Sequence, residues 1–547
     1  MLKFLHGYAP ELWEGYKKHG LLREQDGIRF MQNFLTPDEF RFNKLAAKDG
    51  ELYNLIKEEN RPFYIDRLQG GAIMYEYDYD EKLLDDYRIL LGDKFLGFQM
   101  HEWLSNYRSD QKKCEDVSKE NWNEENIIAA IKKVFPCKNL LLEAMTMEEM
   151  LGYGKVTDPE TLYKNMTEIY LKRLAKYKER GPVDRGYNMF HFEAENGAKI
   201  IMPEIGGCSY GGFIITMAYA RGITKAYGIT LGAYYEPWGG EPFSVCTYFP
   251  KDKNDWFISD PEDFPFKFAG PNGGSSLSLQ WRSFLYCYLS GAEYISEEWG
   301  AYNTFSDANC DTLSEYGKVK KKFIDFLAKY PDVGEKLSPV AVVLSNALPT
   351  YVTWEGDTDE TLYGYVLPED EAKKFRFVRS NARKLFYDYE PQLGNERGGL
   401  LNSEMPDAID MLNICDGKAL NNYDFLVDLT NEPDFAKGRR NLLAVDKVKE
   451  TLKRVLPVRV EGSLHHVVNK KIGGGYYLTI FNHSGIIRTV AKGDEKMPEA
   501  EKTVEIILAD DFKNSKLTLL EGDGNLKYND GRYFATLPAG GFMFMEF

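Results

Sequence analysis

The 547-residue chain reads as an α/β protein: a (β/α)8 TIM barrel, then a small parallel α/β unit, then a C-terminal antiparallel β-sandwich. Three observations predict this. Up to residue 300, eight short apolar runs that end in polar or aromatic residues alternate with helical stretches, the pattern of βα units. After residue 335 the alternation continues on a smaller scale, and from 456 it gives way to short strands punctuated by Gly, Asn and Asp. The length exceeds one ordinary domain and suits three, placed at 1–335, 336–455 and 456–547.

The eight runs are "LKFLHGY" (2–8), "GIRFMQNF" (27–34), "PFYIDRL" (62–68), "FLGFQMHEW" (95–103), "NLLLEAM" (139–145), "KIIMPEIG" (199–206), "ITLGAYYEPW" (229–238) and "EYISEEWG" (293–300). Helices are expected between them at 11–24, 38–58, 81–91, 122–135, 158–179, 211–226 and 276–290, with an eighth at 313–329. Eight strands and eight helices are the count of the barrel, and insertions at 104–120, 146–157 and 240–275 account for its extra length. "YNMFHFEAENGAKII" (187–201) holds a possible extra strand, "MFHF", but too few residues separate it from "KIIMPEIG" for a parallel crossover. Residues 187–196 are therefore read as part of the helical layer.

In the second part, "SPVAVVLS" (338–345), a helix over 371–389, "DAIDMLN" (407–413), "YDFLVDL" (423–429) and a helix near 445–454 make a flavodoxin-like parallel sandwich. It lacks a Gly-rich phosphate loop, so assembly is the expected role. In the third part, "GGYYLTIFNHSG", "KTVEIILA" and "GRYFATLPAGGFMFMEF" alternate as antiparallel strands.

Composition narrows the partners. A formal charge of −16 disfavours nucleic acid and anionic membranes, both of which need a basic surface. No run of about 20 apolar residues is present, and the N-terminal segment lacks the apolar core of a signal peptide, so a cytoplasmic protein is expected. Seven scattered cysteines without a CxxC pair read as reduced thiols rather than a zinc site. Aromatic residues make up 14% of the chain, enough to face a cleft with rings that suit sugars or protein surfaces.

A barrel's site forms where the carboxyl ends of its strands converge. Here those ends are acidic: Glu102 on the fourth run, Glu143 on the fifth, Glu204 on the sixth, Glu236 on the seventh, and Glu297 with Glu298 on the eighth. Trp103, Trp238 and Trp299 stand beside three of them, and Tyr234 and Tyr235 precede Glu236. Hydrolysis of a glycosidic bond with retention needs two carboxyl groups about 5–5.5 Å apart, one as nucleophile and one as acid then base. Burial or a neighbouring carboxylate raises the pKa of the acid.

On these residues and this three-part order, the chain resembles clan A glycoside hydrolases, in particular the family 42 β-galactosidases and a β-mannosidase family of similar trimeric architecture. The resemblance implies a catalytic acid/base at the end of strand four, Glu102 in "FQMHEWLSN", and a nucleophile at the end of strand seven, Glu236 in "AYYEPWGG". It also implies an oligosaccharide or glycoside substrate, no cofactor or metal, and a homo-oligomer, for instance a trimer. His101, Trp103, Asn106, Glu143, Glu204, Tyr235, Trp238, Glu297, Glu298 and Trp299 are the expected sugar-binding positions. His101 stands where the clan has Asn, which leaves the sugar open. If one counted strand were spurious, Glu297 or Glu298 would be the nucleophile instead.

Other chemistries fit less well. A metal-dependent barrel hydrolase would want more than the 7 His present, with a His-x-His on the first strand, where His6 stands alone. A Schiff-base enzyme wants a strand-end Lys, and the nucleotide-binding GxGxxG and P-loop motifs are missing. A catalytically silent carbohydrate-binding or scaffold protein on the same barrel is the rival from another class.

Overall fold

The computed structural model describes residues 1–31, 46–66, 75–77, 82–99, 140–142, 158–175, 182–183, 189–206, 213–236, 276–297, 304–307, 309–347, 361–362, 365–387, 400–414, 417–489 and 493–547. The three expected insertions and the helix at 122–135 lie outside them.

Eight strand positions form one parallel sheet: β1 (Lys3–Gly7), β2 (Gly27–Met31), β3 (Phe63–Asp66), β4 (Phe95–Gln99), β5 (Pro182–Val183), β6 (Ile200–Ile201 and Glu204–Gly206), β7 (Thr230–Glu236) and β8 (Tyr294–Glu297). Their order is β5-β4-β3-β2-β1-β8-β7-β6, so the sheet curls through every barrel position, and among the described residues only the β5 to β6 seam carries no ladder. A helix follows each strand: α1 (Pro10–Lys18), α2 (Glu51–Glu59), α3 (Lys82–Leu91), α4 (Pro159–Leu174), α5 (Phe190–Glu195), α6 (Phe213–Tyr227), α7 (Leu277–Leu289) and α8 (Glu315–Lys329). The extra strand weighed at "MFHF" is α5, a helix, as the crossover argument required.

The fifth strand departs from expectation. Leu140–Leu142 of "NLLLEAM" pairs antiparallel with Tyr75–Tyr77 and so belongs to a separate two-stranded ribbon. The place beside β4 is taken by Pro182–Val183, in register with Phe98 and Gln99. One apolar run is therefore exchanged for another segment, the count stays at eight, and strands six to eight keep their places.

Alternation sorts each strand into two faces. Leu5, Tyr64, Leu96, Ile200, Met202, Tyr234 and Tyr294 form one buried cluster, which fills the barrel lumen. Phe4, Ile28, Phe63, Ile65, Ile201, Ala233, Tyr235 and Ile295 belong to the larger core shared with the helices. Gly232 is a lumen position where a Cβ would come 2.7 Å from Met202 Cγ, so the residue keeps β7 and β6 in close approach. Two helices begin on serine caps: Ser276 accepts from the Leu279 N–H at the start of α7, and Ser314 from the Gly317 N–H at the start of α8.

Beyond the barrel, β9 (Val340–Leu344) is the middle strand of a three-stranded parallel sheet, flanked by β10 (Ile409–Asn413) and β11 (Phe425–Asp428). Helices α9 (Glu369–Tyr387) and α10 (Val448–Val455) accompany it. In the C-terminal region a four-stranded and a five-stranded antiparallel sheet close on a core that includes Val460, Leu478, Ile480, Ile506, Leu537 and Met543, and Ile486–Thr489 with Gly493–Lys496 forms a two-stranded ribbon beside them. At the expected boundary between the first and second parts, a short strand not foreseen in the sequence, Glu335–Lys336, pairs with Lys470 and Asn469 and so edges the five-stranded sheet.

Buried polar groups join these parts. Arg221 of α6 donates to Asp410 of β10 at 2.5 Å and to the Ile409 carbonyl at 2.8 Å. Tyr219, also on α6, donates to Asn413 at 2.6 Å. A second chain runs from Arg282 on α7 through His483 and His465 of the β-sandwich to Asp407, which also pairs with Lys336 at 2.7 Å. A guanidinium only donates, so His483 Nδ1 accepts from it. His483 Nε2–H then donates to His465 Nδ1, 2.8 Å away, and His465 Nε2–H to Asp407, 3.0 Å away. Both imidazoles are thus held neutral, in one tautomer each. Burial and the Arg282 cation push the His483 pKa well down, and burial also lowers that of His465 against the pull of Asp407.

Candidate active site

The carboxyl ends of the strands carry the described part of the site. Glu236 is the last residue of β7, its backbone paired with Gly206 of β6. By the two-residue alternation of β7, its position falls on the same face as Tyr234, whose ring lies in the lumen cluster. Glu204 sits opposite Tyr234 in the β6–β7 register and shares its lumen face, half-buried.

Arg29 is the residue that the sequence reading missed. It follows Gly27 and Leu5 in parity, so β2 aims it into the lumen, where it is 2% exposed. Its guanidinium lies 4.6 Å from the Tyr234 ring centroid, donates to the Tyr234 hydroxyl and donates to the backbone carbonyl of Glu297. A permanent cation thus bridges β2, β7 and β8 two residues before Glu236. The available signal was an Arg inside the apolar run "GIRFM", in a strand that a barrel buries on both faces.

Two expected sugar contacts are placed elsewhere. Tyr235 points out of the lumen and packs edge-to-face on Phe284 of α7, 5.3 Å between centroids. It is a core residue of the strand–helix layer, and Tyr234 takes the lumen position. Glu297 likewise faces the helices, where its carboxylate pairs with Lys320 of α8, the two side chains 7% and 3% exposed. Alternation decides both cases: Tyr294 faces the lumen and Ile295 the helices, so the fourth residue of β8 turns away from a substrate in the lumen. Glu297 as the alternative nucleophile is disfavoured on the same ground.

Behind β8 the pair belongs to a larger cluster. His6 of β1 lies 3.5 Å from Asp26 through Nε2, and Asp26 accepts from Arg23 at 2.7 Å. Burial, then the Lys320 cation, lowers the His6 pKa against the opposing pull of Asp26 and Glu297. Burial alone would raise the Asp26 carboxyl, but His6 and Arg23 outweigh it and hold it well below the usual carboxylate range.

Glu102, His101, Trp103, Asn106, Glu143, Trp238, Glu298 and Trp299 lie outside the described residues, as does the side chain of Glu236. Glu143 follows the antiparallel ribbon rather than a barrel strand, which removes the ground for grouping it with the strand-end carboxylates. Among the described residues no group of three or more His, Cys, Asp or Glu could hold a metal ion. No described helix is long and apolar enough to cross a membrane.

No protein-family profile matches the chain, and no curated protein matches it in sequence. Among solved structures it is similar to an apo GH42 exo-carrageenase from Bacteroides ovatus, with 8% identity over 100% of this chain and 82% of that one and a TM-score of 0.44. It is similar to a β-galactosidase from the Antarctic haloarchaeon Halorubrum lacusprofundi, with 9% identity, 100% and 99% coverage and a TM-score of 0.43. A third is the catalytic module of a family 98 glycoside hydrolase from Streptococcus pneumoniae, with 10% identity, 91% and 86% coverage and a TM-score of 0.42. At such scores the likeness decides neither fold nor activity, and the barrel stands on its own strand order.

Proposed function

We propose that the chain is a retaining glycoside hydrolase in which Glu236 attacks the anomeric carbon. Glu102, three residues beyond the end of β4, protonates the departing oxygen and then activates water. The observation that carries the reading is the placing of Glu236 as the final residue of the seventh strand of an eight-position parallel barrel, on the lumen parity of Tyr234. Arg29 supports it: a buried cation near the strand end favours the ionised form of a nucleophilic carboxylate. Glu204 supplies an acceptor for a sugar hydroxyl on the neighbouring strand. The substrate class is a β-galactoside- or β-mannoside-like oligosaccharide or glycoside, hydrolysed in the cytoplasm without a cofactor. The small parallel sheet, with its first strand central, is read as a flavodoxin-like assembly unit and the whole as a homo-oligomer, for instance a trimer.

The test is turnover of nitrophenyl β-galactoside, β-mannoside, β-glucoside, β-fucoside and α-arabinoside by the intact protein, by Glu236→Ala and by Glu102→Ala. Activity lost in Glu236→Ala and returned by azide as a glycosyl azide of opposite anomeric configuration identifies the nucleophile. Glu102→Ala is expected to lose about 10²–10⁴-fold, least on leaving groups that depart without a proton. Unchanged turnover in Glu236→Ala would remove it from the role. Binding of saccharides with no turnover by the intact protein would point to the carbohydrate-binding alternative.

A further inference from the structure

We infer that Lys320, a residue of the outer helix layer, is a positioning residue for this site: through Glu297 it fixes the end of β8, and the Glu297 carbonyl in turn fixes Arg29 against Tyr234 beside Glu236. The inference rests on the glycosidase reading and deepens it. Glu297 is held from two sides. Its carboxylate goes outward to Lys320, and its backbone carbonyl accepts from Arg29 in the lumen. Arg29 has its other terminal nitrogen on the Tyr234 hydroxyl, so three strands meet on one guanidinium. The end of β8 is therefore a lever between a helix and the lumen, and Lys320 holds its outer arm.

Stability alone is a poor account of this pair. Two charges taken out of water repay their desolvation only with good geometry, so a buried pair contributes little net stability compared with apolar residues of the same size. The Lys320 ammonium is also set over two rings, 4.9 Å from the Phe4 centroid and 5.5 Å from that of Tyr16, which restricts its position further. What such a fixed cation delivers is a fixed partner, here the residue whose carbonyl Arg29 binds. A shift of about 1 Å in a group that aligns reacting atoms can cost about 100-fold in rate.

The surroundings give the proposal a pH signature. The groups that face Lys320 are Glu297 from β8, His6 from β1 and Tyr16 from α1; Asp26 and Arg23 stand behind His6, and Arg29 lies on the far side of the strand. With Lys320 replaced by Met, the Glu297 carboxylate stays buried without its cation, and His6 loses the positive neighbour that disfavours its protonation. The imidazolium of His6 then forms at higher pH than in the parent and partly replaces the missing cation. The variant should therefore recover activity as pH falls, over a range where the parent shows no such rise.

The experiment compares Lys320→Met, Lys320→Arg, Glu297→Gln and the surface control Lys321→Met in the full chain. It follows kcat, KM, their pH dependence, thermal melting, and the Arg29 Nε–H signal in ¹⁵N-arginine-labelled protein, assigned by Arg29→Lys. Lys320→Met and Glu297→Gln are expected to lose roughly 10- to 100-fold in kcat with KM changed less than about threefold. Lys320→Arg should restore most of the loss, and the Arg29 signal should shift in Lys320→Met but not in Lys321→Met. An unmoved Arg29 signal, or a kcat loss that follows the melting temperature and shows no acid recovery, overturns the proposal. If the intact protein turns over no glycoside, the glycosidase reading fails by itself, and the Arg29 signal still decides whether Lys320 positions that residue.

Discussion

Two buried charge clusters among the described residues are built from similar residue types and join different things. The cluster behind β8, with Glu297, Lys320, His6, Asp26 and Arg23, ties α8 and the segment after α1 to two neighbouring barrel strands and stops one peptide away from the lumen. The cluster around Asp407 joins three regions: α7 of the barrel through Arg282, the β-sandwich through His465 and His483, and the segment leading to β10. The difference teaches where damage will be felt. A fault behind β8 is passed to Arg29 and so to the site, whereas a fault at Asp407 loosens the seat of one region on another and leaves the strand ends alone.

The largest expected effect breaks this comparison most directly. Asp407→Ala leaves Lys336 and the neighbouring Arg221 buried with less negative charge to balance them, and should destabilise by about 3–5 kcal/mol. Urea unfolding measures the loss, and the double variant with Lys336→Met should recover part of it. At a temperature where the variant is still folded, kcat should stay within about twofold of the parent if the cluster serves only as a joint. A kcat loss as deep as that of Lys320→Met would show that the two clusters are not separate in function.

Acid sharpens the comparison. Burial lowers the pKa of His465, His466 and His483 at the joint, with His466 down to about 4, while the described part of the barrel holds two such groups, His6 behind β8 and His191 of α5, the latter down to about 3. An imidazole whose folded pKa is depressed binds its proton in the unfolded chain first. Its contribution therefore falls as pH drops below about 6.5, by up to about 1.4 kcal/mol per pH unit for each group. The depressed carboxyls of Asp407, Asp410 and Asp26 add to the loss below about pH 4, in the same direction. Between pH 6.5 and 4 the joint should thus weaken before the barrel. Limited proteolysis in this range should cut first at Leu456–Pro457, the two residues between α10 and the first strand of the β-sandwich at Val458–Glu461; a first cut within the barrel strands would contradict it.

Much of this was legible in the sequence, and the failures have specific causes. Strands seven and eight were readable because "ITLGAYY" and "EYIS" are apolar runs bounded by polar residues, and α7 announced itself by a serine cap. Strand five was not readable: Pro182–Val183 is too short to show a period, and the stronger run at Leu140–Leu142 serves an antiparallel ribbon. For the site, counting strand ends located Glu236 but did not sort the residues by face. Strict alternation from Tyr294 would have turned Glu297 towards the helices and moved the lumen phenol from Tyr235 to Tyr234. Arg29 escaped because a lone Arg in an apolar strand reads as an edge residue until a closed sheet leaves it no solvent.

The smallest expected effect tests a place where the barrel meets the small parallel sheet by close backbone approach rather than by charge. Gly222 of α6 lies against β10 so closely that a Cβ would stand 2.1 Å from the Met411 carbonyl oxygen, a backbone atom that cannot rotate aside. On either side of this contact, Arg221 with Asp410 and Tyr219 with Asn413 fix the helix to the strand. Gly222→Ala gains helix propensity of about 1 kcal/mol and must push α6 away from β10. Overpacking costs about 1–3 kcal/mol, so the net should be a loss of up to about 2 kcal/mol. Because α6 also follows β6, the push reaches Glu204, and a rise in KM with little change in kcat is the expected kinetic mark. A variant as stable as the parent, with unaltered KM, would mean that α6 and β10 part without disturbing either the joint or the strand end.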